Sequence, residues 1–109
     1  MTATSYALQR LSAAVLAPLV LIHIIGMIVA IQGGISAEEI LSRTHGSWLW
    51  GGFYGLFVIA VGIHIGVGLN NILLEWTSMS RGLVAGIAHG YATFAIVLGL
   101  RAVYAVVLA

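Results

Sequence analysis

Residues 48–74 read WLWGGFYGLFVIAVGIHIGVGLNNILL, and this stretch decides the fold because it contains no Asp, Glu, Lys or Arg. A helix needs about 20 mostly apolar residues to cross the hydrocarbon core of a bilayer, and this run is longer. In lipid, an uninterrupted apolar run satisfies its backbone hydrogen bonds as a helix. The sequence therefore predicts a membrane-spanning helix over residues 48–74.

Two further apolar runs, residues 11–31 and 83–109, are also long enough to span a bilayer. Pro18 lies inside the first run, a position that membrane helices tolerate. The short connection at residues 76–82 predicts an antiparallel hairpin of the second and third spans. We therefore predict an all-α integral membrane protein with three transmembrane helices, forming a single membrane-anchor domain over residues 1–109.

The overall composition supports this class of fold. Hydrophobic residues make up 61% of the chain and charged residues 6%, with a mean hydropathy of +1.13. Soluble domains carry about 25% charged residues, which they need to cover their surface. The net charge of +1 argues against a nucleic-acid partner. The absence of cysteine excludes disulfides, zinc–thiolate sites and iron–sulfur clusters built from this chain.

The connection at residues 32–47 is polar, and one surface helical turn is expected in it near residues 36–42. Ser36, followed by Glu38 and Glu39, is typical of a helix start with acids near the positive end of the dipole. His45, in the same loop, is expected to make a hydrogen bond at the membrane interface.

The few charges predict the orientation of the chain. Arg10 and Arg81 flank one side of the predicted bundle, whereas the loop on the opposite side holds two glutamates and one arginine. By the positive-inside rule, the N-terminus and the second connection are expected in the cytoplasm.

Three histidines carry the candidate chemistry. His23, His64 and His89 each lie in a different apolar run, and an ionisable group at membrane depth is by default a functional candidate. With a rise of 1.5 Å per residue, they lie roughly 20, 16 and 12 Å from the cytoplasmic ends of their spans, which is compatible with one layer of the bilayer. Haem iron accepts axial histidines inside helical bundles. The alternative is that each neutral imidazole hydrogen-bonds a neighbouring helix.

Glycines around His64 favour close approach of a helix or a flat ligand. Gly68, one turn after His64, is expected to leave space for a porphyrin ring. The alternative interpretation is ordinary close packing of membrane helices. Four further glycines of the second span occur at spacings that allow such packing: Gly51, Gly55, Gly62 and Gly66.

Two arginines are candidates to bind a haem propionate. Arg10 lies at the mouth of the first span and Arg101 inside the end of the third. The alternative for both is that the guanidinium extends to the membrane interface while the aliphatic stem stays in the apolar region.

The segment HIGVGLNNILLE, residues 64–75, resembles a signature of succinate dehydrogenase cytochrome b membrane-anchor subunits. In that family a haem-ligating histidine is followed by a glycine four residues later, an Arg-His pair and an acid near the cytoplasmic surface. His64, Gly68 and Glu75 fall on matching positions. Asn70 and Asn71 stand where the family has the Arg-His pair.

The segment YALQRLSA, residues 6–13, is similar to the His-Arg-x-Ser-Gly segment that opens the same subunits. Arg10 and Ser12 match it, while Gln9 and Ala13 replace the histidine and the glycine. In the family this arginine lies beside the quinone pocket and the haem propionates. The resemblance thus implies a quinone site formed by Tyr6, Arg10 and Ser12, with ubiquinone or menaquinone as the substrate.

The resemblance implies a subunit of a succinate:quinone or fumarate:quinone oxidoreductase in the cell inner (plasma) membrane. Flavoprotein and iron–sulfur subunits would bind on the cytoplasmic face, and this chain alone is not expected to perform dicarboxylate chemistry. His64 would be an axial ligand of haem b, with His23 and His89 as further candidate ligands. Either this chain supplies both ligands of one haem, or two haems lie between it and a second anchor subunit, which is the arrangement we favour.

Other functions remain open from the sequence. A haem-free structural or assembly subunit of a respiratory complex is one alternative, and the anchor of a different quinone-linked dehydrogenase is another. A small multidrug transporter has a similar length, but it needs four spans and a glutamate embedded in the first, which this chain lacks.

Overall fold

A computed structural model of the protein describes residues 2–109 and contains four helices there, α1 (Ala3–Gly33), α2 (Ala37–Thr44), α3 (Trp48–Trp76) and α4 (Arg81–Val107). Three of them, α1, α3 and α4, are long and apolar enough to cross a membrane, so the predicted all-α fold with three such helices is confirmed. α1 begins earlier than the apolar run. Hydropathy detects only the lipid-embedded part of a helix, whereas the more polar first turns of α1 are helical as well.

Each helix begins directly after a hydroxyl residue that caps its N-terminus. The side-chain oxygen accepts a backbone N–H from three residues further on, which satisfies one of the free donors of the first turn. The surface helix expected near Ser36 is thereby confirmed as α2, with both acids in its first turn. The four capping residues are Thr2, Ser36, Ser47 and Ser80.

α3 is the central element of the bundle because it packs against both α1 and α4. α3 and α4 form the predicted antiparallel hairpin: Gly51 at the start of α3 lies against Val107 at the end of α4, and Gly66 lies against Ala92. The longest dimension of the molecule is 48 Å. This length exceeds a hydrocarbon core of about 30 Å, so helix ends reach the interfacial layers.

The surface of the bundle is mostly apolar. The buried hydrophobic residues are few, and large aliphatic side chains are exposed along all three long helices. Trp48 and Trp76, at opposite ends of α3, are 87% and 82% exposed, positions typical of tryptophans at the two membrane interfaces. A surface this apolar is unfavourable in water and is compatible with a multi-pass membrane protein.

The loop after α2 closes the C-terminal end of α4. The Thr44 hydroxyl donates to the carbonyl of Val106 over 2.8 Å, and the backbone N–H of Gly46 donates to the carbonyl of Val107 over 2.7 Å. Gly46 has φ +73°, a left-handed conformation that favours glycine. His45 Nε2 lies 2.9 Å from the Ala109 carbonyl, so its predicted hydrogen bond is confirmed. These contacts satisfy carbonyls that a helix end leaves free.

Candidate functional site

The candidate site is centred on His64, which faces α1. Its Nδ1 lies 3.2 Å from the hydroxyl oxygen of Ser12, a buried residue. That hydroxyl in turn donates its proton to the carbonyl of Gln9 over 3.1 Å. Because the proton of Ser12 is already donated, its oxygen accepts from Nδ1–H of His64. In the tautomer that satisfies both hydrogen bonds, Nδ1 carries the proton and Nε2 keeps its lone pair.

Nε2 of His64 is free to bind a ligand outside this chain. Among residues 2–109 it has no hydrogen-bond partner, and it is not one of the fully buried polar atoms. Metal-binding histidines usually donate their other ring N–H to a fixed acceptor, which orients the ring. The pair of Ser12 and His64 has this arrangement, so the donor set fits axial ligation of a haem iron.

The space expected at Gly68 is filled. A Cβ on Gly68 would lie 3.1 Å from Nε2 of Gln9, so the Gln9 amide packs directly over this glycine. Oε1 of the same amide is buried without a hydrogen-bond partner. A porphyrin ring would therefore reach the Gly68 face only if the Gln9 side chain moved.

His23 lies at a different membrane level from His64. Its ring packs edge-on against Tyr54 and Phe57 of α3, with centroids 5.8 and 5.3 Å apart. Ser12 and His23 are eleven residues apart on α1, which corresponds to roughly 16 Å along the helix axis. Both axial ligands of a haem bind the same iron atom. His23 and His64 of one chain are therefore too far apart to serve as such a pair.

Nδ1 of His23 is buried and has no hydrogen-bond partner among the described residues. An unsatisfied buried polar atom is unfavourable, since it has lost its bond to water without replacement. His23 thus stays a candidate ligand by its depth, but it lacks the orienting hydrogen bond that His64 has.

His89 lies on the open side of α4. It is exposed and lines a cleft of about 430 Å³ between the N-terminal part of α1, α3 and α4. Ala92 of α4 packs against Gly66 of α3, so His89 lies about 8 Å from the level of His64 along the bundle axis. His64 is not part of the cleft lining. The three histidines therefore lie at three levels and not in one layer.

The predicted quinone residues are divided between two faces of α1. The Arg10 guanidinium donates to the hydroxyl of Tyr6 over 3.2 Å and lies 5.6 Å from the centre of the Tyr6 ring. Both side chains are exposed, whereas Ser12 points into the bundle toward His64. Tyr6 and Arg10 form a pair, and Ser12 is not part of it.

The second candidate arginine for a propionate, Arg101, is exposed on α4. Gly99 of α4 packs against Val58 of α3, so Arg101 lies roughly 12 Å from the level of His64, toward the α2 end. Arg10 lies only two residues before Ser12, the residue that contacts His64. Along the bundle axis, Arg10 is therefore closer to His64 than Arg101 is.

Most of the glycines flagged in the second span serve helix packing. Gly51 and Gly66 lie against Val107 and Ala92, and a Cβ on Gly62 would overlap the side chain of Ile96. Gly55 has no atom within 4 Å of an added Cβ. The interpretation of these residues as close-packing positions is confirmed for three of the four.

Two functional features were missed in the sequence. The first is the chain of hydrogen bonds from His64 through Ser12 to Gln9. The only sequence signal for it was that Gln9 and Ser12 are polar residues at the start of an apolar run. The second is a cavity beside Arg43 and Trp50 at the α2 end, which depends on how α2 folds back and has no local signal.

Within the part of the chain that the structure describes, no three or more His, Asp or Glu side chains gather as a metal-binding cluster. Comparisons with known protein families, curated proteins and solved structures found no match for this chain.

Proposed function

We propose that this chain is the membrane-anchor cytochrome b subunit of a succinate:quinone or fumarate:quinone oxidoreductase. The observation that carries the proposal is the imidazole of His64, held through Nδ1 by Ser12 at membrane depth with Nε2 unengaged. The same histidine opens the segment that resembles the family signature. An oriented imidazole with a free lone pair is what an axial haem ligand requires.

Haem b, when bound, supplies a one-electron carrier between an iron–sulfur partner and quinone. This chain would hold it through Nε2 of His64, with Ser12 and Gln9 fixing the ring. Because Nε2 of His64 has no partner among the described residues and is not fully buried there, a second ligand would best come from another anchor subunit. The separation of His23 from His64 supports one ligand per haem from this chain, and leaves either His23 or His89 as this chain's ligand of a second haem.

The pair of Tyr6 and Arg10 supports a quinone site at the N-terminal end of α1. The Tyr6 oxygen accepts from Arg10, so its own O–H remains free to donate. Arg10 keeps further N–H donors. Two converging donors suit a carbonyl oxygen of ubiquinone or menaquinone, whose reduction places negative charge on that oxygen.

The proposed partner subunits are those that would supply the redox groups this chain cannot bind. It has no cysteine for iron–sulfur clusters, so the electrons must arrive from iron–sulfur and flavoprotein subunits. We place these subunits on the side of Arg10 and Arg81, in the cytoplasm of a cell whose inner (plasma) membrane holds the chain. Anchors of other quinone-linked dehydrogenases would share this design, and the identity of the soluble subunits distinguishes them.

The purified complex tests the proposal. We expect a reduced-minus-oxidised spectrum of a low-spin b-type haem, with flavoprotein and iron–sulfur subunits co-purifying. Ser12→Ala should retain His64 but weaken haem retention by about 10- to 100-fold, because the hydrogen bond that orients the His64 ring through Nδ1 is lost. Haem-free complex from membranes with intact haem supply would contradict the proposal.

A haem-free structural or assembly subunit is the second candidate. The observation that favours it is the Gln9 amide packed over Gly68, which occupies the face expected for a porphyrin. The same spectrum separates the two functions, since a structural subunit would co-purify with its complex and contribute no haem absorption.

A further inference from the structure

A second cavity, of about 480 Å³, lies at the α2 end of the bundle between α1, α2 and α3. It is remote from the pair of Tyr6 and Arg10, because α1 approaches it with its C-terminal half. Neither His23 nor His64 belongs to its lining. The cavity is therefore separate from His64 and from the pair of Tyr6 and Arg10, although Tyr54 of its lining also packs against His23.

One wall of this cavity is a long apolar strip of α1. Lining residues run from Ile22 to Ala30, which corresponds to about 12 Å of helix. Gly26 lies in the middle of the strip, and an added Cβ there would have no atom within 4 Å. The strip is therefore an open apolar groove that no side chain among residues 2–109 fills.

Charge in the cavity is confined to Arg43. It is the only charged residue of the lining, which includes neither Glu38 nor Glu39. The single proton of the Thr44 hydroxyl, also at the cavity, is shared between the carbonyls of Val106 at 2.8 Å and Ile40 at 3.0 Å. The cavity thus offers one cationic group and no carboxylate to neutralise it.

Arg43 makes one end of the cavity polar, whereas the wall formed by α1 is apolar. It lies in the last turn of α2, a short polar helix between two long apolar ones. Trp50, in the first turn of α3, lines the cavity beside it, and tryptophan is typical of the membrane interface. The cavity therefore runs from a cationic interfacial rim into the hydrocarbon layer.

We propose that this cavity binds one anionic phospholipid, with its phosphate at Arg43 and an acyl chain along the strip from Ile22 to Ala30. A soluble anion would leave the apolar strip uncovered, and a zwitterionic lipid would bring its own cation to the guanidinium. An anionic phospholipid matches both the charge and the apolar wall.

The test uses delipidated protein in a mild non-ionic detergent, purified with whatever subunits accompany it. Its thermal midpoint is measured against added phosphatidylglycerol, phosphatidylcholine of the same acyl chains, or oleate, because a ligand that binds only the folded state raises the midpoint. Arg43→Gln removes the charge. Arg81→Gln, at the first residue of α4 on the opposite end, is the matched control. Gly26→Leu fills the strip and keeps Arg43.

We expect phosphatidylglycerol to raise the midpoint of the wild type and of Arg81→Gln, with phosphatidylcholine far less effective. Arg43→Gln should need about fivefold more phosphatidylglycerol, the effect of one basic residue at a charged membrane surface. Gly26→Leu should lose the response while remaining folded. The proposal would be overturned if both phospholipids raised the midpoint equally, or if oleate alone raised it. It would also be overturned if Arg43→Gln or Gly26→Leu responded to phosphatidylglycerol like the wild type, or if Arg81→Gln lost as much of the response as Arg43→Gln.

Discussion

Gly99→Ala is predicted to destabilise the hairpin of α3 and α4. A Cβ at Gly99 would lie 2.6 and 2.8 Å from the two methyl carbons of Val58 and 3.3 Å from its Cβ. Valine is β-branched and stiff about χ1, and its Cβ moves only with the α3 backbone. The clash therefore cannot be relieved by a side-chain rotation, and the two helices must separate locally.

The expected loss of folding stability comes from overpacking a close-packed helix interface, which costs about 1–3 kcal/mol. With three atoms of Val58 involved, we expect about 2 kcal/mol, equivalent to roughly a 30-fold rise in the unfolding equilibrium constant. Gly62→Ala should also destabilise the hairpin, because its new Cβ would overlap Cγ1 and Cδ1 of Ile96, whose χ1 is restricted in the same way as that of valine.

The assay is unfolding of the purified protein in mixed micelles by increasing SDS, followed by helical circular dichroism. Gly90→Ala is the matched control, since a Cβ there meets no atom within 4 Å. It should be neutral or more stable by up to about 1 kcal/mol, because alanine is the better helix former. Adding Val58→Ala to Gly99→Ala should recover much of the loss, as a double-mutant cycle will reveal. A Gly99→Ala protein as stable as Gly90→Ala would refute the packing argument.

The remaining predictions concern topology, the quinone pair and the α4 cap. Single cysteines at Ser36 and Ser78 should differ in labelling by an impermeant reagent, with only Ser36 labelled in intact cells; labelling of Ser78 would reverse the topology. Arg10→Leu should impair quinone reduction while sparing electron transfer to a soluble dye, and normal quinone turnover would remove Arg10 from the site. Thr44→Val should destabilise the protein by about 1 kcal/mol, because the part-buried carbonyl of Val106 loses its side-chain donor; an unchanged SDS unfolding midpoint would show that water replaces it.

The architecture could be predicted from the sequence because each of its causes is local. The uncharged run at residues 48–74 requires a spanning helix, the short connection before Arg81 requires a hairpin, and Ser36 with its acids specifies the start of α2. All three depend on neighbouring residues alone. The N-terminal extension of α1 was missed because hydropathy does not register a helix that continues beyond the lipid.

The arrangement of the histidines could not be predicted, because it depends on helix register and rotation. Depths estimated from the ends of the apolar runs were compatible with His23, His64 and His89 in one layer. The actual register sets His64 opposite Ser12 and His23 opposite Tyr54. Side-chain length matters as well, since Gln9 extends across the interface to cover Gly68, and no spacing rule signals that contact.

Haem content of a His64→Ala variant tests the central claim most directly. The variant is purified beside wild type and beside His45→Ala, whose imidazole lies in the loop outside the spans. Circular dichroism and subunit composition serve as checks that the complex still assembles. We predict that His64→Ala loses the low-spin b-type spectrum, leaving a five-coordinate or empty site, while His45→Ala keeps it. A His64→Ala complex with a wild-type low-spin spectrum and full haem content would contradict the account.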